Sequence, residues 1–463
     1  MFSAIEQHTI HPIPASDRRG RPRDQFTIWF STNMTLLTVV TGALGPLQCH
    51  ISFTLTALAF LLGSLLGAVF MALHAVQGPR LGVPQMIQSR GQFGAWGAMP
   101  VILMVVVMYV SFVASNCVVG GDALRSVLPS LGAHPAILIM AVLSLLPCII
   151  GYRTIEIFSS AVSFITTAVI LLCFFVGLAS LPHGQAFLAD MHGSFAGFLQ
   201  AFSIAVLWQI ATAPYVSDSS RYLPDEKASY PRIFLACYGG TIGGTFLAMA
   251  AGAFLSAATG LSPAVAITHM TGPWAGLIIL VLGLSIAFAN AMDLYCCTLS
   301  LITLLHSCRT SWQPRGRSRL IITLLIILTA TAMALFMAKS FNAAYSALLD
   351  LLMAVMIPWT AINLSDFYLV RKGDYHVPSF FERDGGVYGL VNGPALFSYG
   401  LGILAEIPFL NLSFYHGPLL ERLHGVDISW LTALLVSTLS YLLLARHGKA
   451  HHTQQPGDEE TTF

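Results

Sequence analysis

Five stretches of the chain place polar or charged side chains where an apolar helix would be expected. The sharpest is SIAFANAMDLYCCTLSL, residues 285–301, with Asn290 and Asp293 in its middle. An aspartate at the centre of a membrane helix costs on the order of 2.5–3.5 kcal/mol on insertion scales, so it is expected to face a polar cavity and to exchange a proton there. Asn290 lies one turn earlier on nearly the same face. Amide and carboxyl together suit the imide or amidine edge of a small heterocycle. The competing reading is an interhelical hydrogen bond.

In WQIATAPYVSDSSRYLP, residues 208–224, Pro214 lacks an N–H and breaks the helical ladder. Carbonyls freed at membrane depth persist only where protein buries them or a wet cavity solvates them. Trp208 and Gln209 stand just before that break. An indole can stack on a planar ligand or pack against lipid, and an amide can donate and accept at a ligand's polar edge. Asp218, Arg221 and Tyr222 follow the break, where a charge pair could latch a gate. WFSTNMTLLTVVTGALGP, residues 29–46, groups Ser31, Thr32, Asn33 and Thr35, then reaches Gly42, Gly45 and Pro46. A polar cluster followed by glycine and proline suits a discontinuous transport helix, with Asn33 its most informative member.

HAVQGPRLGVPQMIQSRGQFGAWGAMP, residues 74–100, brings glutamines, a serine and Arg90 close to the bilayer and suggests a folded plug or gate. LLDLLMAVMIPWTAINLSDFYLVRKGDYHV, residues 348–377, ends with Asp366, aromatic residues, Arg371 and Lys372. Its end fits an interfacial belt, with Asp366 and Arg371 spaced for a fixed ion pair.

The elements that must position these residues are membrane helices. Of 463 residues, 56% are hydrophobic and 9% charged, with a mean hydropathy of +0.74. A soluble domain is usually about one quarter charged. Apolar windows fall at 27–47, 51–75, 97–120, 134–151, 155–181, 195–216, 232–258, 273–300, 319–338, 342–369, 394–412 and 428–446. The expected fold is therefore an all-α polytopic membrane protein of twelve helices. Its parts are an N-terminal tail, 1–25, a transporter domain, 26–446, and a polar, disordered tail, 447–463. Residues 1–25 have no apolar core of the kind a cleavable signal needs, so the first helix is expected to direct insertion.

With the N-terminus inside, 19 of the Lys and Arg residues fall on the cytoplasmic side and only Arg125, Lys339 and Arg422 on the other. That bias places both ends in the cytoplasm of a bacterial inner membrane. A net charge of +1 gives no footprint for nucleic acid. The eight cysteines lack metal-ligand spacing and read as free, packed thiols. His451 and His452 read as part of a solvated tail.

In this order, IWFSTNM, GPRLGVPQMIQSRGQFG, APYVSDSSRYLP, NAMDLY and IPWTAINLSDFYLVRKGDY resemble the nucleobase–cation symporters of the purine/cytosine permease family. The resemblance spans about residues 26–380. It implies a five-plus-five inverted repeat like that of the bacterial leucine transporter, two trailing helices and alternating access. It places a flat substrate between helices 1, 3, 6 and 8. Tyr109 falls where helix 3 usually has tryptophan, Trp208 or Gln209 at the helix 6 aromatic, and Asp293 at the helix 8 asparagine. A sodium site would use the carbonyls of Ser31 and Met34. The helix 8 hydroxyl positions fall on Ala287 and Phe288, although Ser285 is near. Those departures favour coupling to a proton over sodium.

The expectation is a monomeric symporter, without cofactor or resident metal, that imports cytosine or a purine. Hydantoin or allantoin and a thiamine-precursor pyrimidine are the alternatives within the class. A membrane-embedded enzyme would cluster acids, histidines or cysteines at one membrane face, and a channel would not need one intramembrane acid beside broken helices.

Overall fold

A computed structural model describes residues 9–150, 152–181, 184–412, 415–423 and 426–452. Among the described residues nine helices are long and apolar enough to cross a bilayer: Phe53–Leu81, Met99–Val127, Ala133–Ile150, Ser160–Ser180, Phe195–Ser220, Lys227–Thr259, Pro263–Cys308, Gly316–Met337 and Ala347–Val370. Before them stands a bent pair, Pro22–Asn33 and Leu36–Leu47, turned through 65° at its break. After them come two shorter segments, Gly393–Glu406 and Ser429–His452, joined by a small antiparallel pairing of Asn411–Leu412 with Tyr415–His416. These twelve segments are consistent with the twelve helices read from the sequence, and are numbered below as spans 1 to 12.

Spans 1 and 7 pack backbone to backbone, as do spans 2 and 6. Exchanging the first five spans with the second five maps one pair onto the other, as an inverted repeat requires. Glycine makes this approach possible. A Cβ at Gly244 would stand 2.4 Å from the Phe30 carbonyl oxygen, and one at Gly252 would stand 1.8 Å from that of Val39. Gly63 and Gly67 meet the carbonyls of Phe202 and Val206 in the same way. Gly252→Val is expected to wedge spans 1 and 7 apart and destabilise the protein by about 3 kcal/mol. A thermal unfolding midpoint in detergent equal to that of the wild type would contradict this packing.

The break in span 1 falls inside the polar cluster, not at Gly42, Gly45 and Pro46. Thr35 is extended, and its hydroxyl caps the following segment by accepting from the Thr38 amide at 3.4 Å. Capping starts a new helix as soon as a suitable residue appears. Gly45–Pro46 is taken up instead in the short helix Leu44–Leu47, where the missing Cβ of Gly45 leaves room for Thr56.

The stretch 74–100 is folded. After a left-handed turn at Gly82 (φ 69°), Gln85–Phe93 forms a helix in which every residue is buried. Its amides are linked in a chain, which leaves Gln85 Oε1 without a partner among the described residues. Gln85 Nε2 donates to Gln77 Oε1 (2.9 Å), Gln77 Nε2 to Asn363 Oδ1 (2.8 Å), and Asn363 Nδ2 to Gln92 Oε1 (3.2 Å). Such pairing is what a polar plug at membrane depth needs.

The N-terminal segment is a packed strap from residue 9 onward, not a solvated tail. Ile10 and Ile13 are buried, the Ile13 amide donates to the Gly82 carbonyl at 3.0 Å, and Arg18 Nη1 donates to the Pro79 carbonyl at 2.9 Å. Two isoleucines among the prolines give this segment apolar area to bury. At the other end, span 12 runs on to His452, into the tail expected from 447. No proline interrupts the chain before Pro456, so the helix continues. Residues 1–8 and 453–463, the remainder of the two expected tails, lie outside the described residues. The eight cysteines are free, seven of them buried and Cys308 exposed.

Candidate substrate site

Two breaks meet at one cavity. Span 1 breaks at Met34, and span 6 changes from α-helix to a 3-10 turn at Ala213–Tyr215, where Pro214 supplies no amide. Between them lies a narrow cavity of about 30 Å³, lined by Thr32, Asn33, Thr35 and Leu37 of span 1, Phe112 and Asn116 of span 3, Trp208, Thr212 and Tyr215 of span 6, and Ala289 and Asp293 of span 8. It is closed down to about one water's room, so a ring enters only when the spans part, but the lining is of the kind usual for small-molecule sites, apolar with a few convergent polar groups.

One wall is aromatic. The Trp208 and Phe112 rings lie 6.1 Å apart at 77°, and Tyr215 packs behind them against Tyr109 (5.1 Å) and Trp29 (5.4 Å). Trp208 is held in place, because its Nε1 donates to Asn33 Oδ1 at 2.7 Å while Asn33 Nδ2 donates to the Trp29 carbonyl at 2.8 Å. That bond ties the two broken spans together at the cavity. The polar wall is Asn116 and Asp293, joined through Asn116 Nδ2 and Asp293 Oδ2 at 3.2 Å. Asp293 is 6% exposed, and no basic side chain lines the cavity. A planar molecule of about one ring could lie against the indole with one polar edge toward the carboxyl.

Of the six residues expected to bind substrate, Asn33, Trp208 and Asp293 line this cavity. Gln209 does not: its Oε1 accepts from Thr241 Oγ1 of span 7 at 2.5 Å, on the side where its Cβ packs against Gly67 of span 2. Successive residues of a helix point about 100° apart, so Trp208 and Gln209 cannot share one face. Tyr109 stands one ring farther out, reaching the cavity only through Tyr215. Asn290 makes interhelical bonds, donating to Ser144 Oγ at 3.0 Å and accepting from Asn116 Nδ2 at 3.3 Å.

Phe112, Asn116 and Tyr215 were missed in the sequence. Asn116 had a legible signal: an amide in an apolar helix, seven residues and thus two turns from Tyr109. Phe112 had none that separates it from packing aromatics.

At the candidate sodium position, the Ser31 carbonyl accepts from Ser163 Oγ of span 5 at 3.3 Å. Ser285 Oγ bonds back to the Leu282 carbonyl of its own helix at 2.6 Å, and Phe288 stacks on Phe158 at 5.7 Å. Of the three positions considered, span 8 thus carries a hydroxyl only at Ser285, and that one spends its proton within its own helix.

The residues expected at the gate gather at the end of the bundle that holds the N-terminal strap. Asp218 Oδ1 accepts from the Gln85 amide of the plug helix at 2.9 Å, and Arg221 Nη1 donates to the Thr9 carbonyl at 2.8 Å. Arg90 anchors the plug by donating to the carbonyls of Phe380 (2.7 Å) and Thr303 (2.8 Å) and to Ser307 Oγ (2.9 Å). Asp366 and Arg371 form the ion pair read from their spacing, Nε to Oδ2 at 3.1 Å, and Asp366 also accepts from the hydroxyls of Tyr375 and Tyr441.

Comparison with known proteins places this arrangement. Relatives include the provisionally named purine-cytosine permease YxlA of Bacillus subtilis (strain 168), 34% identical with 96% of each chain covered. The purine-cytosine permease fcyB of Emericella nidulans is 24% identical over 95% of this chain and 88% of its own. Among solved structures, Mhp1, a nucleobase-cation-symport-1 family transporter in a closed conformation with bromovinylhydantoin bound, superposes with a TM-score of 0.77 at 18% identity, covering 97% and 96% of the two chains. A sodium-coupled sialic acid symporter shares the fold at a TM-score of 0.63 and 14% identity, covering 93% of this chain and 91% of its own. Residues 12–432 match the family of permeases for cytosine/purines, uracil, thiamine and allantoin, and with the whole-length likeness to YxlA this establishes that the chain belongs to that family of membrane transporters.

Proposed function

We propose that the protein imports cytosine or a purine together with a proton, by alternating access around the cavity between spans 1, 3, 6 and 8. The observation that carries this reading is the pairing of the Trp208 face with the Asp293 carboxyl in one small enclosure. A protonated carboxyl presents one donor and one acceptor. An amidine edge, as in cytosine or adenine, presents the complementary acceptor and donor. Neutralising Asp293 removes the cost of a lone charge at membrane depth, so substrate and proton favour each other's binding. The use of Ser285 within its own helix, and the lack of oxygen donors at Ala287 and Phe288, support the proton over sodium at the Ser31 and Met34 carbonyls.

In this reading Asp218, Arg221, Arg90 and the strap close the cytoplasmic end, both termini are cytoplasmic, and the protein works as a monomer in the bacterial inner membrane. The second reading, a carrier of hydantoin, allantoin or a thiamine-precursor pyrimidine, rests on the same wall, because a stacked ring with two hydrogen bonds suits each of these. A thermal-shift screen of purified protein against nucleobases, hydantoins and pyrimidine vitamers separates them. Uptake of labelled cytosine into proteoliposomes tests coupling: accumulation that collapses with a protonophore and persists in choline buffer supports proton symport. Simple equilibration of the label contradicts it.

A further inference from the structure

Spans 11 and 12 lie outside the five-plus-five repeat and carry an acid that the substrate cavity does not use. Glu406 ends span 11 and is fully buried. Neither of its carboxyl oxygens has a hydrogen-bond partner among the described residues. The charged group that bears on it is another acid, Asp427, just before span 12, and on its own helix Tyr399 lies two turns back. No basic side chain among the described residues offsets it there.

The seam around Glu406 is polar. Thr432 Oγ1 of span 12 reaches the Ala405 carbonyl at 3.3 Å, and one turn earlier the Ser429 hydroxyl is buried without a partner. Ser437 fills the space left by Gly402, where a Cβ would stand 1.9 Å from its Oγ. Asp427 accepts from the amides of Asn411 (3.0 Å) and Ser429 (2.8 Å). It also lines a second cavity, of about 300 Å³, with Gln48, His50 and Gln200. A charged carboxylate enclosed without a partner, next to a second acid, is strongly disfavoured. A cavity of that size, with polar walls, has room for water and gives a proton a route.

We infer that Glu406 is a second proton-binding site, separate from the substrate cavity, which exchanges its proton through the cavity lined by Asp427. With the proton bound, spans 11 and 12 pack across a neutral seam. With it released, two carboxylates face each other there and push the pair apart. The folded protein then binds more protons near neutrality than the unfolded chain does, so stability falls as pH rises.

Infrared spectra of the purified protein, titrated from neutral to alkaline pH, test the assignment. A protonated-carboxyl C=O band that disappears on alkalinisation is expected in the wild type and in Asp293→Asn, and is lost in Glu406→Gln. Glu406→Gln keeps the shape of the neutral acid, and its melting temperature should lose the alkaline fall seen in the wild type. Asp427→Asn removes the neighbouring negative charge, so the band should disappear at a lower pH. Identical carboxyl bands in the wild type and Glu406→Gln would overturn the proposal. So would a band removed by sodium at constant pH, since that would make the site a sodium site.

Discussion

Asp293→Ala is expected to abolish concentrative uptake. The carboxyl is the acid of the cavity wall, and the substitution removes both the proton carrier and the hydrogen-bonding edge. Two hydrogen bonds to the neutral carboxyl are worth about 1–3 kcal/mol together, which corresponds to roughly 5- to 150-fold in affinity, and the loss of the carrier comes on top. Asp293→Asn separates the two contributions. A carboxamide still donates and accepts, so binding should fall only a few-fold and exchange of labelled substrate across a membrane should survive. The amide does not titrate between neutral and acid pH, so accumulation driven by an inward proton gradient should vanish. With the proposed proton coupling, wild-type uptake should rise as the outside pH falls, the proton being a co-substrate. In Asp293→Asn the profile should be flat, and proton-driven accumulation by that variant would remove Asp293 from the coupling mechanism.

The second large effect is expected at Arg90. Its guanidinium is enclosed, 2% exposed, and binds the Thr303 and Phe380 carbonyls and Ser307 Oγ. Those groups belong to span 8 and to the connection between spans 10 and 11, so one side chain from the plug joins two otherwise separate parts. Arg90→Met keeps the apolar stem but takes a donor from the Phe380 and Thr303 carbonyls and from Ser307 Oγ, the last two keeping their own bond at 3.2 Å. At about 1–3 kcal/mol for a buried group left unsatisfied, the substitution should cost about 2 kcal/mol. It should appear as a lower thermal midpoint and as protease sensitivity in the connection around Phe380. Arg90→Lys restores a charge but not the fork, which needs several donors at once, and should recover less than half of the loss. A midpoint within error of the wild type would mean that the plug is held by its amide chain alone.

The fold was legible because its signals are long and redundant. Each apolar window of about 20 residues states a span, and the five polar interruptions carry enough pattern to show the family resemblance. The break at Pro214 was legible for a local reason, a missing amide. The break in span 1 was legible as a polar cluster followed by Gly and Pro but not to the residue, because the Thr35 cap that decides its place is one hydroxyl. The site was half legible. Asn33, Trp208 and Asp293 announce themselves as costly residues at membrane depth, but helical phase decides which costly residue faces the cavity. Asn290 and Asp293 are one turn apart, yet Asn290 turns toward Ser144 of span 4 and Asp293 toward the cavity. The stretch from Ala289 to Ser300 is buried on every side, although Leu277, Leu280 and Leu284 earlier in the same helix are exposed, so the local pattern around the two residues carries no phase of its own. The strap was read as a tail because two isoleucines are too few to outweigh its four arginines in composition. Its partners, Gly82 and Arg221, are supplied by distant parts of the chain.

The glycine contacts between spans 1 and 7 and between spans 2 and 6 limit how this protein can diverge. Where carbonyl oxygens already occupy the place of a methyl group, there is no larger residue to try and no compensating exchange on the facing helix. The central four-span bundle is thus closed to gradual substitution along those seams. Adaptation to a new substrate has its freedom on the opposite side of the cavity, at Phe112 and Asn116, whose neighbours are side chains that can be traded. A descendant with a different diet would keep the glycines and change that wall.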